Sequence, residues 1–87
     1  MAWSVDFTDT AIKALKKIDK KWQSKILDYL EDEIAALEDP RSRGKALVGD
    51  KKGFWRYRVG DYRVICKLFD SESVILAVTL GHRKKVY

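Results

Sequence analysis

Residues 53–69 constrain the fold most, because apolar and polar side chains alternate on both sides of the dipeptide Gly60-Asp61. Alternation with period two is typical of β-strands that cover one face of a core. A Gly-Asp pair between two such runs is typical of a tight hairpin turn. If the loop has two residues, Arg58 lies directly opposite Arg63. The sequence therefore predicts two antiparallel strands with that register.

Side chains of the predicted hairpin fall alternately on two faces. The first face is apolar or aromatic throughout and should pack under helices; it carries Trp55, Tyr57, Val59, Tyr62, Val64, Cys66 and Leu68. The second face places cations between apolar and aromatic residues; it carries Phe54, Arg56, Arg58, Arg63, Ile65, Lys67 and Phe69. Like charges directly opposite each other destabilise a sheet. The pair Arg58 and Arg63 therefore either binds an anion or splays apart in solvent.

The positive charge of the chain is concentrated in the half that contains this hairpin. The 87 residues have a formal net charge of +5. Residues 1–40 hold 6 Lys and Arg against 9 Asp and Glu, whereas residues 41–87 hold 12 against 4. A basic half of this kind favours an acidic partner, whether nucleic acid, an acidic protein or a membrane surface.

Composition excludes several kinds of site and compartment. Cys66 is the only cysteine, so neither an intramolecular disulfide nor a cysteine-only zinc cluster can form. His82 is the only histidine, and no phosphate-binding glycine loop or metal-ligand spacing occurs. We therefore expect no metal or other cofactor. With no signal-peptide pattern and no apolar run of about 18 residues, residues 1–87 are expected to form one cytoplasmic domain with no membrane partner.

The segment before the hairpin predicts one strand and two helices. Residues 3–7 alternate like a short strand, and Thr8 or Asp9 can cap a helix that follows. Apolar residues spaced three or four apart between positions 22 and 37 indicate a second helix, which Pro40 should stop.

After the hairpin, a turn at 70–73 leads to residues 74–80, which are nearly all apolar, as in a strand covered on both faces. The predicted fold is α+β, with an antiparallel β-sheet and two helices packed on one face in the order β-α-α-β-β-β. If Phe69 lies opposite Val74, the open face continues onto this last strand. The apolar and cationic surface expected there is Ile65, Lys67, Phe69, Leu76 and Val78.

The chemistry available on the open face is that of fixed cations near aromatic rings. Arg56, Arg58, Arg63 and Arg83 could bind a phosphodiester while an aromatic ring stacks on a base. They could also stabilise the charge that builds on phosphorus when a ribose 2′-hydroxyl attacks it. RNA supplies its own nucleophile in that reaction. Composition alone leaves RNA cleavage, RNA binding and DNA binding open.

Four segments together resemble RelE of the RelE/ParE toxin superfamily. They are Lys45-x-Leu47-x-Gly49, Trp55-Arg56-x-Arg58, Asp61-Tyr62-Arg63-Val64-Ile65 and Gly81-His82-Arg83-x-x-Val86-Tyr87. The strand at 3–7 and the helix pair occupy matching places, so the likeness covers essentially the whole chain. RelE-like proteins are toxins that cut mRNA in the ribosomal A site and are silenced by an antitoxin encoded with them.

The resemblance implies a role for each matching residue. Arg56 and Arg58 stand where RelE has two catalytic lysines, and Arg63 matches its phosphate-stabilising arginine. Arg83 matches a proposed general acid, and Tyr87 matches a tyrosine that stacks on the substrate base. Because arginine has a pKa above about 12, it is a poor general base, so charge stabilisation carries over better than proton transfer. We assign RNA binding to Lys45, His82, Lys84 and Lys85.

The resemblance also implies partners: a RelB-like antitoxin with an acidic amphipathic segment, the ribosome and mRNA, with assembly into a toxin–antitoxin hetero-oligomer. The expected antitoxin contacts are Ile65, Lys67, Phe69, Leu76 and Val78. Two alternatives stand beside the nuclease, namely a ParE-like inhibitor of DNA gyrase and an inactive homologue that only binds its acidic antitoxin. The arginines on adjacent strands favour the nuclease, because a gyrase inhibitor needs no phosphate clamp.

Overall fold

The computed structural model describes residues 3–84 as a five-stranded sheet with a layer of two helices. Its elements are β1 Ser4–Phe7, α1 Asp9–Lys16, α2 Lys20–Asp28, β2 Lys45–Ala46, β3 Trp55–Val59, β4 Tyr62–Phe69 and β5 Val74–His82. The predicted α+β class, with two helices against a sheet, is confirmed. The two-residue strand β2 was not predicted.

The strand order is β1-β5-β4-β3-β2, and one pairing in it is parallel. β1 runs parallel to β5, with Val5 beside Ile75, whereas the other neighbours are antiparallel. The sheet is therefore mixed, and the expectation of an entirely antiparallel sheet is wrong for this edge. Because two helices separate β1 from the hairpin, no tight turn fixes its direction, and it pairs at the far edge of the sheet.

The β3–β4 hairpin has the predicted register. Arg58 lies opposite Arg63 across the turn at Gly60-Asp61. Gly60 has a positive φ of 59°, and a Cβ at this position would collide with the ring of Trp22. The turn therefore needs glycine both for its backbone conformation and for the closeness of the indole.

The core lies between the helices and the predicted apolar face of the hairpin. Its fully buried members include Ala11, Ile26, Leu30, Ile34, Tyr57, Val64, Cys66, Ile75 and Ala77. Burial raises the pKa of the Cys66 thiol to about 12. Cys66 is therefore a packing residue and not a nucleophile at neutral pH.

The second helix ends earlier than predicted and changes form before it ends. It continues from α2 as a π-helical segment, Tyr29–Ile34, in which the amide of Ala35 donates to the Leu30 carbonyl at 2.9 Å, five residues back. Pro40 does not stop this helix. It opens a short 3₁₀ turn capped by the Asp39 carboxylate, which accepts from the amide of Arg41 at 2.9 Å.

Strand β5 contains a bulge that changes which of its residues face the helices. Cys66 pairs with Ala77 but Ile65 pairs with Thr79, so Val78 is an extra residue. The hydroxyl of Thr8 donates to the Val78 carbonyl at 2.7 Å and accepts from the amide of Ala11 at 3.1 Å. The same side chain therefore caps α1 and binds the bulged carbonyl.

A two-pronged ion pair joins the 3₁₀ turn to the β4–β5 connection. Both terminal nitrogens of Arg41 donate to the Asp70 carboxylate, at 3.0 and 2.9 Å. These bonds lower the pKa of Asp70 below its usual range and raise that of Arg41. The guanidinium of Arg41 thus has a structural role, because it ties the 3₁₀ turn to the end of β4.

Candidate functional site

Four cations lie in two cross-strand pairs on the face of the sheet turned away from the helices. Arg58 lies opposite Arg63 on β3 and β4, and Lys45 lies opposite Arg56 on β2 and β3. Directly opposed residues share a face, and neighbouring pairs two residues apart along a strand are close in space. We call Lys45, Arg56, Arg58 and Arg63 the cationic cluster.

Strand β5, which pairs with β4, has no side chain next to Arg63. Gly81 of β5 lies opposite Arg63, so the sheet surface beside this guanidinium is bare backbone. Arg83 follows two residues later, and its amide donates to the Asp61 carbonyl at 2.8 Å. This bond holds the start of the C-terminal segment against the hairpin turn, with the exposed Arg83 at the same end of the sheet as Arg58 and Arg63.

The cluster extends around the outer edge of β3 into a cleft of about 250 Å³. Tyr29 and Gly44 line this cleft together with Lys45, Arg56 and Arg58. Gly44 has a φ of 77°, and a Cβ there would collide with the Arg56 carbonyl oxygen. Only glycine allows the chain to pass so close to β3 at this point.

His82, a predicted RNA-binding residue, lies apart from the cationic cluster. It pairs with Tyr62, and their rings meet edge to face at a centroid distance of 5.9 Å. It lines a separate cleft on the helix side with Lys13 of α1 and with Lys17, which directly follows that helix. The bulge at Val78 is the cause, because it reverses the facing of every later residue of β5.

The two remaining RNA-binding candidates and the last catalytic candidate lie at the C-terminus. Lys84 is exposed beyond the end of β5, and its amide approaches Nδ1 of His82 at 3.4 Å. Lys85 and Tyr87 lie outside the described residues. Their assignment therefore stays a prediction from sequence.

Ile65 is not part of an open surface, contrary to expectation. It is only 4% exposed. The segment that precedes β3 folds over it, so that Lys51 and Phe54 line a small cavity with Ile65 and Val78. Lys67 Nζ lies 5.6 Å from the centre of the Phe54 ring, in cation–π contact. An antitoxin cannot touch Ile65 without displacing this cover.

The apolar part of the expected partner surface is confined to the far end of the sheet. Phe69 remains 38% exposed, opposite Val74 as predicted. It lines a groove of about 340 Å³ with Leu76 and the acidic residues Asp6 and Glu72. The exposed Lys67 lies on β4 between this groove and the cationic cluster.

The arrangement suits binding of a polyanion and stabilisation of negative charge. Within residues 3–84, no three His, Cys, Asp or Glu side chains are placed together as metal ligands. No helix of the described chain is long and apolar enough to cross a membrane. Within residues 3–84 the sheet face brings together the four residues of the cationic cluster, and Arg83 follows at the same end of the sheet as Arg58 and Arg63.

Tyr29 and Gly44 are the site residues that sequence reasoning missed. Tyr29 fits the apolar stripe of the second helix, so its position predicts only burial. The sequence signal for the cleft lies in the connection between the second helix and β3, where Gly44 directly precedes Lys45. Glycine is the residue that permits a close approach of two chain segments, so its position beside Lys45 was the available signal for this cleft.

Comparisons with known proteins agree with this fold. The curated toxin RelG of Mycobacterium tuberculosis is 24% identical over the whole chain and 98% of its own length. In the crystal structure of the toxin–antitoxin complex RelBE2 from the same organism, a chain superposes with a TM-score of 0.86 and 23% identity. That match covers 95% of this chain and 93% of the other.

An archaeal structure extends the likeness. The RelE–RelB complex of Pyrococcus horikoshii contains a chain that is 29% identical, with a TM-score of 0.68, covering 99% of this chain and all of the other. The resemblance to the RelE/ParE superfamily expected from sequence is thus confirmed. A model of the ParE toxins of type II toxin–antitoxin systems matches residues 5–87, and the chain belongs to that toxin family.

Proposed function

We propose that this toxin is a ribosome-dependent mRNA endonuclease that inhibits translation in the cytoplasm. The observation that carries the proposal is the direct opposition of Arg58 and Arg63, beside the pair Lys45 and Arg56. Such a concentration of like charge is unfavourable for the sheet by itself. A bound phosphodiester relieves the repulsion and supplies a reason for the arrangement.

The cluster acts by stabilising the transition state of an internal transfer. The ribose 2′-oxygen gives its proton to solvent water and attacks the neighbouring phosphorus, and the bond to the 5′-oxygen breaks. The products are a 2′,3′-cyclic phosphate and a 5′-hydroxyl, which takes up a proton. Arg63 faces the developing charge on the phosphate oxygens, with Arg56 and Arg58 beside it. Arg83, at the hairpin turn, is the candidate for supporting the leaving oxygen.

Ribosome dependence follows from the lack of a proton acceptor in the described cluster. A guanidinium is a poor general base, so Arg56 and Arg58 are poor acceptors for the 2′-proton. Alignment of the 2′-oxygen with the breaking bond must then come from the decoding site, and such positioning is worth many orders of magnitude in rate.

We therefore expect the isolated protein to cleave free single-stranded RNA poorly in the presence of a chelator, and programmed ribosomes to restore cleavage. The measurement is a time course of a labelled mRNA with and without ribosomes. Rapid cutting of free RNA at the same sites would contradict ribosome dependence.

Induction in cells tests the proposal as a whole. Mapping of mRNA 5′ ends should show cuts in phase with codons, and only in translated regions. DNA breaks without such cuts would support a ParE-like inhibitor of DNA gyrase. That second candidate is favoured by one observation, the match of residues 5–87 to the ParE toxin model. Absence of toxicity would support an inactive homologue.

The proposed partner is a RelB-like antitoxin that joins the toxin in a hetero-oligomer. The solved complexes of RelE-type relatives contain antitoxins. On this chain an acidic amphipathic segment would place carboxylates on the cationic cluster and Lys67, and aliphatic side chains in the groove of Phe69 and Leu76. Competition for the same cations then explains silencing without a conformational switch.

We expect toxin–antitoxin affinity to fall with added salt while an apolar remainder persists. The double variant Arg58→Ala/Arg63→Ala should bind more weakly and with a smaller salt dependence. Titration of complex formation against ionic strength measures both quantities. Equal affinity and equal slope for the two proteins would mean that the antitoxin silences the toxin from another surface.

A further inference from the structure

Tyr29 presents a phenol to the cationic cluster from the helix layer. Its ring meets that of Tyr57 edge to face, with centroids 6.4 Å apart, so the fully buried Tyr57 fixes its orientation. The exposed Arg43 donates hydrogen bonds to the Glu33 carboxylate, at 3.0 Å, and to the Tyr29 hydroxyl, and these bonds raise the pKa of Arg43. The hydroxyl therefore lies at the polar rim of the sheet and not inside the core.

The cleft in front of Tyr29 exists because β2 is short. β2 begins at Lys45, opposite Arg56, and Arg58 lies beyond this last pair. In place of a further β2 residue, Gly44 passes close to the backbone of β3 without a side chain. The space of about 250 Å³ thus opens at the sheet edge, between a phenol and the side chains of Lys45, Arg56 and Arg58.

Arg56 and Arg58 connect this cleft to the face on which Arg63 lies. Both side chains line the cleft, and both belong to strand positions that share a face with Arg63. A polyanion bound to the Arg58–Arg63 pair can therefore continue around the edge of β3 and stay in contact with positively charged side chains. A phenol beside cations suits a nucleotide, since the hydroxyl can donate a hydrogen bond to a phosphate oxygen and the ring edge can contact the sugar.

We infer that Tyr29 and Lys45 form a subsite for the phosphate and sugar of a nucleotide that neighbours the scissile one, with Arg58 bordering both places. The inference rests on the proposed function, because it takes the Arg58–Arg63 pair as the place of the scissile phosphate. It adds the path of the RNA, which leaves the sheet face across the outer edge of β3 toward the helix layer. Tyr29 is a substrate-positioning residue in this arrangement.

Binding of a short, single-stranded, all-deoxy oligonucleotide tests the subsite, because a strand without 2′-hydroxyls cannot be cut by internal transfer. Fluorescence anisotropy with the full chain gives affinity and its salt dependence. Tyr29→Phe keeps the ring on Tyr57 and should weaken binding about fivefold, the effect of one lost hydrogen bond, with an unchanged salt slope. Lys45→Gln should lower the slope by about 0.7, one phosphate contact on a single strand.

Tyr62→Phe is the matched control, since it removes the same hydroxyl on the helix side next to His82. It should bind like wild type. If Tyr29→Phe also binds like wild type while Arg63→Ala is weakened, the subsite is refuted and the proposed function stands. If neither Arg63→Ala nor Tyr29→Phe changes binding, both the proposed function and the subsite are overturned. Melting temperatures of the Phe variants check that the fold is kept.

Discussion

Replacing Arg63 with alanine is expected to reduce mRNA cleavage by a factor of about 100 or more while the protein stays folded. Arg63 lies opposite Arg58 and beside the bare backbone of Gly81, which leaves room for the proposed phosphate. Loss of one donor that stabilises developing charge typically costs about 2.7–4 kcal/mol in the transition state. Arg83→Ala should give a loss of the same order, because Arg83 is held at the same end of the sheet. Ribosome-dependent cleavage of a defined mRNA measures both effects.

Arg41→Ala is the matched control, since it removes an arginine that is engaged with Asp70 at 2.9 Å and lies outside the cationic cluster. It should retain cleavage. Wild-type toxicity of a soluble, folded Arg63→Ala protein would contradict the role given to this arginine. A parallel loss in the Arg41 variant would point to a general effect of charge.

Replacing Trp55 with alanine is expected to lower the free energy of unfolding by roughly 3 kcal/mol, the lower end of the range for buried aromatic residues, because Trp55 is half-buried. Its indole packs against the core on the helix side, and Nε1 donates to the Arg43 carbonyl at 2.6 Å. For a domain of this size the melting temperature should fall by about 15 °C. Thermal unfolding followed by circular dichroism measures it.

Trp55→Phe separates the two contributions of this side chain. It keeps most of the packing and removes only the donor to Arg43, so it should cost about 1 kcal/mol. A melting temperature of Trp55→Ala equal to that of wild type would mean that the indole contributes nothing to the core.

The hairpin could be predicted in detail because two independent signals agree there. Period-two alternation places Tyr57 and Val64 on one face, and the Gly-Asp turn sets Arg58 against Arg63. Both the register and the helix-facing side follow. The cations of the candidate site were therefore predictable as a group, since they share the other face of the same two strands.

The features that were missed depend on contacts between segments that are distant in sequence. The cover over Ile65 comes from a connection that local patterns describe only as a basic loop containing Lys51. Residues 74–80 are almost all apolar, so no alternation reveals that Val78 is an extra residue. The π-helical segment preserves the burial of Leu30 and Ile34, and its different hydrogen bonding leaves no trace in the apolar spacing.

The bulge at Val78 divides β5 into two parts, in which odd-numbered residues face opposite sides of the sheet. Before it, Leu76 shares a face with Lys67; after it, His82 shares the helix side with Tyr62. In a relative with one residue more or fewer in this strand, the residues after the bulge would face the opposite side of the sheet, even where the two sequences align. Residues after the bulge should therefore be matched to those of a relative by their position after Val78, whose carbonyl binds Thr8. That residue marks where the facing of the side chains changes.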